Sequence, residues 1–290
     1  MHVIMGGTGH VGSQAAAALL GRGEAVTVVT RDAEHATKLR EKGADVAEAD
    51  IEDVASLRAA FRRGQRAFLL NPNADPGTDT DAVEKRTVAQ ILAALEGSGL
   101  EKVVAESTGG AQPGERIGDL GILWELEQGL AQQAIPAAIN RAAYYMSNWD
   151  GMLQSVRDAG KLPTMFPADM PIPMVAPKDL GRIAADRLMT GREDTGIRYI
   201  EGPRRYSSAE VAQAFSSALG RRVTVEVTPR ERWKQAFQAM GFSDPAAESY
   251  AGMTAASVDS GFEVPDEPLR GTTTLETYIR DLVSGNGKLA

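Results

Sequence analysis

The chain has 290 residues, 43% of them hydrophobic, with a formal net charge of −8 and a sequence pI near 5.1. That length admits one large domain or two small ones, and the acidic balance excludes a general nucleic-acid surface, which needs concentrated Lys and Arg. The absence of cysteine removes disulfides, thiolate chemistry and cysteine-based zinc sites together.

A short apolar run, Val3-Ile-Met5, enters a loop containing Gly6, Gly7, Gly9 and Gly12, and an alanine- and leucine-rich helical pattern follows over 13–20. This is G-x-G-x-x-G, read as Gly7, Gly9 and Gly12, between a strand and a helix. In that setting the first glycine permits a tight turn, the second lets backbone approach a pyrophosphate, and the third brings helix and strand together. The helix N-terminus adds unpaired N–H groups and the positive end of its dipole. The loop Gly6, Gly7, Thr8, Gly9, His10, Val11 and Gly12 is therefore assigned to dinucleotide binding.

Strand patterns follow at 25–29, 45–48, 67–70, 102–105 and, more weakly, 137–139. Helical patterns lie between or after them at 33–42, 54–61, 81–96 and 120–133. This alternation predicts an α/β fold with a doubly wound parallel sheet, the Rossmann architecture. Residues 1–155 form the expected NAD(P)-binding domain. Beyond it the rhythm changes. Prolines at 163, 167, 171, 173 and 177 predict extended or looped chain. Helices are expected at 178–189, 208–219 and 230–240, with short strands at 197–200 and 223–227. Residues 156–290 are read as a smaller, mixed α/β, substrate-binding part, interleaved with the first rather than independent. The segment 284–290, with two glycines and no apolar pattern, is expected to be mobile.

Several polar positions fall at predicted strand ends, where such sheets bind ligands. Arg31 stands nineteen positions past Gly12. NAD-preferring folds place an acid near there for the ribose hydroxyls; a cation suits a 2′-phosphate instead, so NADP(H) is preferred over NAD(H). Asp32 is read as the cap of the next helix, and Lys38 as an exposed helix lysine. Asp50 and Ile51 follow the third strand, where they pass the adenine; Asp53 is the better helix cap. Asn71 and Pro72 end the fourth strand, and Ser107 and Thr108 the fifth. Each is equally well an ordinary turn residue. The run 140–149 holds Tyr144, Tyr145, Met146 and Trp149, suited to an aromatic substrate slot. The three histidines, His2, His10 and His35, show no metal-ligand spacing, and no metal is expected. No charged leader with an apolar signal region opens the chain, and no apolar run reaches spanning length, so the expected location is the cytoplasm, away from membranes.

Together Gly6-Gly-Thr-Gly-His-Val-Gly12, Val29-Thr-Arg31, Ala49-Asp-Ile51, Leu69-Leu-Asn-Pro72, Val103-Val-Ala-Glu-Ser107 and Trp124-Glu-Leu-Glu-Gln-Gly-Leu130 resemble the NmrA-like branch of atypical short-chain dehydrogenases/reductases. The run 135–149, and Ile200-Glu-Gly-Pro203 with 207–220, extend the likeness over most of the chain. The resemblance implies either an NADPH-dependent reductase of quinones or dyes, or an NADP-sensing regulator. Trp124 joins the expected substrate pocket.

One departure matters. The broader superfamily pairs a proton-donating tyrosine with a lysine four residues later. No tyrosine here has that lysine, and Asp119 and Leu123 stand near the relevant places. The leading expectation is an NADP(H)-binding oxidoreductase passing hydride to a small electron-poor acceptor, such as a quinone, dye or enone, largely by positioning. Tyr144 and Tyr145 are the candidates for proton donation. The alternative is a non-enzymatic NADP(H) sensor acting through a protein partner. A homodimer also stays open. A sugar-nucleotide epimerase shares the fold but needs the missing pair.

Overall fold

A computed structural model describes residues 1–262 and 265–285. The first strand, β1 (His2–Ile4), leads through the glycine loop into α1 (Gly12–Leu20), which buries Ala15, Ala16 and Leu19. β2 (Val26–Thr30) follows. The helix expected over 33–42 is divided into a 3-10 turn, Ala33–Ala36, and α2 (Thr37–Glu41). Asp32 caps it by accepting from Glu34 N at 2.8 Å. At the junction Thr37 Oγ1 donates to Glu34 O at 2.6 Å, the kind of back-bonding that disturbs a regular helix. β3 (Asp45–Glu48) and α3 (Val54–Phe61) come next, α3 capped by Asp53 through Ala55 N and Ser56 N. Then follow β4 (Arg66–Leu69), α4 (Thr80–Leu95), β5 (Lys102–Thr108), α5 (Asp119–Ala131) and β6 (Ala137–Ala142).

The second half continues with β7 (Tyr144–Tyr145), α6 (Leu153–Ala159), β8 (Lys161–Thr164), β9 (Ile172–Val175) and α7 (Pro177–Met189). The proline-rich stretch thus holds two short strands. After these come β10 (Gly196–Glu201), β11 (Arg205–Tyr206), α8 (Ser208–Leu219) and β12 (Thr224–Val227). The chain closes with α9 (Trp233–Ala239), α10 (Asp244–Ser260), β13 (Leu269–Arg270) and α11 (Leu275–Ser284). The segment expected to be mobile begins inside α11: Ser284 is its last residue and Gly285 caps it in the left-handed region, at φ 77°. Residues 286–290 lie outside those described.

Among the described residues the large sheet runs β13-β10-β6-β5-β4-β1-β2-β3, every neighbouring pair parallel. The order reverses between β1 and β4, the switch point where ligands bind at the carboxyl ends of the strands. One face is covered by α1 and α7, packed with Leu19, Leu180, Ile183 and Leu188; the other by α3, α4 and α5, with Leu57, Ile91 and Leu126. A third core, around Trp149, Met174, Tyr206 and Phe215, belongs to the smaller part. Residues beyond 155 supply β10 and β13 to the large sheet and α7 to one of its faces.

Candidate active site

At the dinucleotide end, the left-handed position is Gly6, at φ +59°, and not Gly7, where the tight turn was expected. Gly7 is required for another reason: a Cβ there would overlap Val28 Cγ1 on β2. A Cβ on Gly12 would overlap Gly6 O and stand 2.9 Å from Met5 O, so α1 meets the loop backbone directly. At Gly9 a Cβ would meet only Gly6 O, at 3.3 Å. Thr8, Gly9 and His10 are exposed, whereas Val11 sends its side chain into the core and offers the loop its backbone. No side chain caps α1. Its N-terminus is therefore open to an anion, the arrangement that phosphate binding needs.

Arg31 projects into solvent past β2 and has no partner among the described residues. Asp50 is exposed and turns its carboxylate to Glu52 N, 3.0 Å away, while Ile51 packs on the core. Pro72 is exposed. Asn71 donates to Glu84 O at 3.4 Å, and its buried Oδ1 has no partner. A glycine loop that admits no Cβ at Gly7 or Gly12, an uncapped helix, a cation without a partner among the described residues and an orphaned buried amide oxygen all fit a dinucleotide laid across this edge.

Beside the loop is a cavity of about 760 Å³. Leu70 joins the two: its Cδ2 is 3.1 Å from where a Gly6 Cβ would be, and it lines the cavity. Asn71, Ser107, Tyr144, Tyr145 and Trp149 line it as well. Tyr144 packs edge-on to Phe166 at 5.5 Å and tilted against Trp149 at 5.8 Å. Phe237, Phe242 and Tyr250, from α9, the turn after it and α10, form a second aromatic group with centroids 4.8 to 5.6 Å apart. Met146 lies in the third core, and neither it nor Trp124 is among the lining residues. Trp149 is 3% exposed and its Nε1 has no partner.

The polar part of the lining is organised behind β5 and β6. Ser107 Oγ donates to Glu127 at 2.6 Å, and Glu127 also holds Arg141 through contacts of 2.9 and 2.7 Å. Arg141 in turn donates to Tyr199 at 3.0 Å. On the other face of β5, Glu106 accepts from Asn140 Nδ2 at 3.3 Å and lies 3.4 Å from the Tyr145 hydroxyl. Burial pushes the Glu106 carboxyl up to about 8, against the pull of those hydrogen bonds and of Arg187. Burial, and then the charges of Glu106 and Asp119, raise the Tyr145 phenol well above its ordinary value. Burial likewise takes Tyr144 to about 12, and burial followed by the charge of Asp81 takes Asp119 to about 6. Among the described residues no group of three acidic or histidine side chains is placed to hold a metal, and no helix is long and apolar enough to cross a membrane.

Comparison with known proteins now bears on this geometry. A model of the NmrA-like family matches residues 2–279. The chain belongs to the NmrA-like family. An NAD(P)H azoreductase from Xenophilus azovorans is 25% identical over 249 residues, spanning 86% of this chain and 84% of that one. The triphenylmethane reductase of a Citrobacter species superposes with a TM-score of 0.80 at 19% identity, covering 99% of both chains. An NADPH-dependent quinone oxidoreductase from Escherichia coli, solved with NADPH, gives 0.80 at 20%, covering 98% of this chain and 99% of that one. Asp119 and Leu123 both line the cavity. Glu106, Phe237, Phe242 and Tyr250 were not singled out from sequence as site residues.

Proposed function

We propose that this protein is an NADPH-dependent oxidoreductase acting on small, flat, electron-poor acceptors such as quinones, azo compounds or dyes. The observation that carries the reading is an aromatic-walled cavity sharing Leu70 with a glycine loop built for a dinucleotide. Gly6, Gly7, Gly9 and Gly12 with the α1 N-terminus would hold the pyrophosphate, Arg31 the 2′-phosphate, and Asn71 a polar group nearer the cavity. Bound reduced nicotinamide supplies the hydride. The two aromatic groups of the lining, Tyr144, Trp149 and Phe166, and Phe237, Phe242 and Tyr250, would stack and orient a flat acceptor and keep water from it. The family relatives, named as reductases of azo compounds, triphenylmethane dyes and quinones, support the same class. The sensor reading needs only the dinucleotide site and gives the aromatic cavity beside it no role.

The test is NADPH consumption by the purified protein with a panel of quinones, azo dyes and triphenylmethane dyes. Turnover of at least one class is expected, faster with NADPH than with NADH. Consumption no faster than the protein-free rate throughout the panel overturns the proposal.

A further inference from the structure

Glu106 is 3% exposed and makes no ion pair with the described residues. Its hydrogen-bond partners are fixed from behind. Arg187 Nη1 donates to Ile139 O at 2.9 Å and to Asn140 Oδ1 at 3.0 Å. Arginine has no acceptor, so the oxygen of the Asn140 amide must face it. The amide nitrogen is thereby aimed at Glu106 Oε2. Oε2 is an acceptor, and any carboxyl proton belongs on Oε1, the oxygen 3.4 Å from Tyr145 Oη. Arg187 is itself engaged by Asp194, at 3.0 Å. A buried carboxyl with no cation of its own takes up a proton rather than keep a charge. Tyr145 Oη donates to the ionised carboxylate at 3.4 Å; once Oε1 carries a proton the bond reverses and the phenolic hydrogen must point elsewhere, and both residues line the cavity.

We propose that Tyr145 delivers the proton completing reduction of the acceptor, and that the Glu106 carboxyl reloads it, as a relay in place of the absent tyrosine–lysine pair. This rests on the reductase reading above. Hydride from reduced nicotinamide brings two electrons and leaves a quinone-type acceptor with an anionic oxygen. The Tyr145 Oη–H bond breaks and an O–H bond forms on the acceptor. The Glu106 Oε1 proton then passes to Tyr145 Oη, and Glu106 takes a proton from water. The acceptor has gained one hydride and one proton, and the protein is restored.

The test compares two probes, 1,4-benzoquinone and a cationic triphenylmethane dye. Hydride addition to the dye's carbocation gives a neutral product and needs no proton. In Tyr145→Phe and in Glu106→Gln the ratio of quinone to dye turnover is expected to fall about 100-fold, within the ~10²–10⁴-fold that general acids contribute. An unchanged ratio in both variants overturns the relay, and a fall confined to Tyr145→Phe overturns the part given to Glu106. Wild-type protein that turns over neither probe overturns the reductase reading instead. A second measurement needs neither cofactor nor variant activity: the ¹³C-NMR titration of glutamate carboxyls in the ligand-free wild-type protein. The groups facing Glu106 are Tyr145 on β7, Asn140 on β6 and Arg187 on α7, with Asp119 on α5 acting on Tyr145. The relay requires Glu106 to hold its proton at pH 7 and lose it near 8. Glu84 is raised as well, to about 7, so the Glu106 resonance is identified as the one missing from the spectrum of Glu106→Gln; if that resonance has already ionised by pH 6, the relay is overturned.

Discussion

Arg31 has the plainest consequence of any single residue. It stands exposed past β2 with no partner among the described residues, so its removal disturbs no hydrogen bond or ion pair described there. Charge-assisted bonds from a guanidinium to a phosphate are among the stronger polar contacts. Arg31→Ala is therefore expected to weaken NADP(H) about tenfold or more, roughly 1.4 kcal/mol, and to leave NAD(H) within about threefold, since the two ligands differ only at the 2′ position. Calorimetric titration with both dinucleotides checks this; equal weakening of both would remove the phosphate assignment. The places of Arg31 past β2 and of the glycine loop between β1 and α1 were legible in sequence because they follow from local spacing along one βαβ unit. Glu106 was not, because its burial depends on Asn140, Tyr145 and Arg187, which come from three later elements. Met146 illustrates the converse: its neighbours in sequence face the cavity, while the turn beginning at 146 carries its own side chain into the core.

At the level of elements, α3 was legible from Asp53 and the pattern after it and α8 from its helical pattern alone, whereas the Ser207 cap of α8 and the whole of α11, capped by Thr274, were not read. Chain beyond residue 240 was harder to read: α10 has no strong apolar stripe, and its attachments are polar. Ser249 on α10 donates to Asp81 at 2.5 Å and accepts from Gly118 N at 2.9 Å. Beneath it, α4 and α5 bring Asp81, Glu84 and Asp119 together, and burial, then the charge of Asp119, raises Glu84 to about 7. The sign follows. The unfolded chain loses this proton near 4.5 and the folded chain near 7, so folding stability falls as pH rises between those values, with the full penalty above the upper one. Glu84→Gln keeps an oxygen for Ala74 N, which Glu84 Oε1 holds at 2.9 Å. The variant is expected to be more stable than wild type at pH 8 by roughly 2 kcal/mol, with no gain at pH 4. Denaturant unfolding at the two pH values decides it; a difference independent of pH would show that the carboxyl is not held protonated.

Across the whole molecule, the large sheet is completed by chain that arrives late. α7 covers one face with Leu180, Ile183, Ala184 and Leu188, and β10 pairs along β6. The most demanding dependence is that of Lys102, at the start of β5 and 0% exposed. Its ammonium donates to Arg187 O at 2.8 Å, Thr190 Oγ1 at 2.7 Å and Gly191 O at 2.9 Å, and faces Asp194 at 3.4 Å. Every one of these acceptors lies beyond residue 155. A fragment of residues 1–155 would keep the dinucleotide loop but lose the cover of α7 and every partner of this ammonium. Uncovering the first-half residues of the core that α7 shares, Leu19, Phe68 and Val104 among them, and leaving Lys102 without acceptors costs several kcal/mol each, against a total stability on the order of 5–15 kcal/mol for a domain. The fragment is expected to show no cooperative thermal transition by near-ultraviolet circular dichroism and no dinucleotide binding. A sharp transition in the fragment would mean that the first half folds alone, and that Lys102 finds other acceptors when the second half is gone.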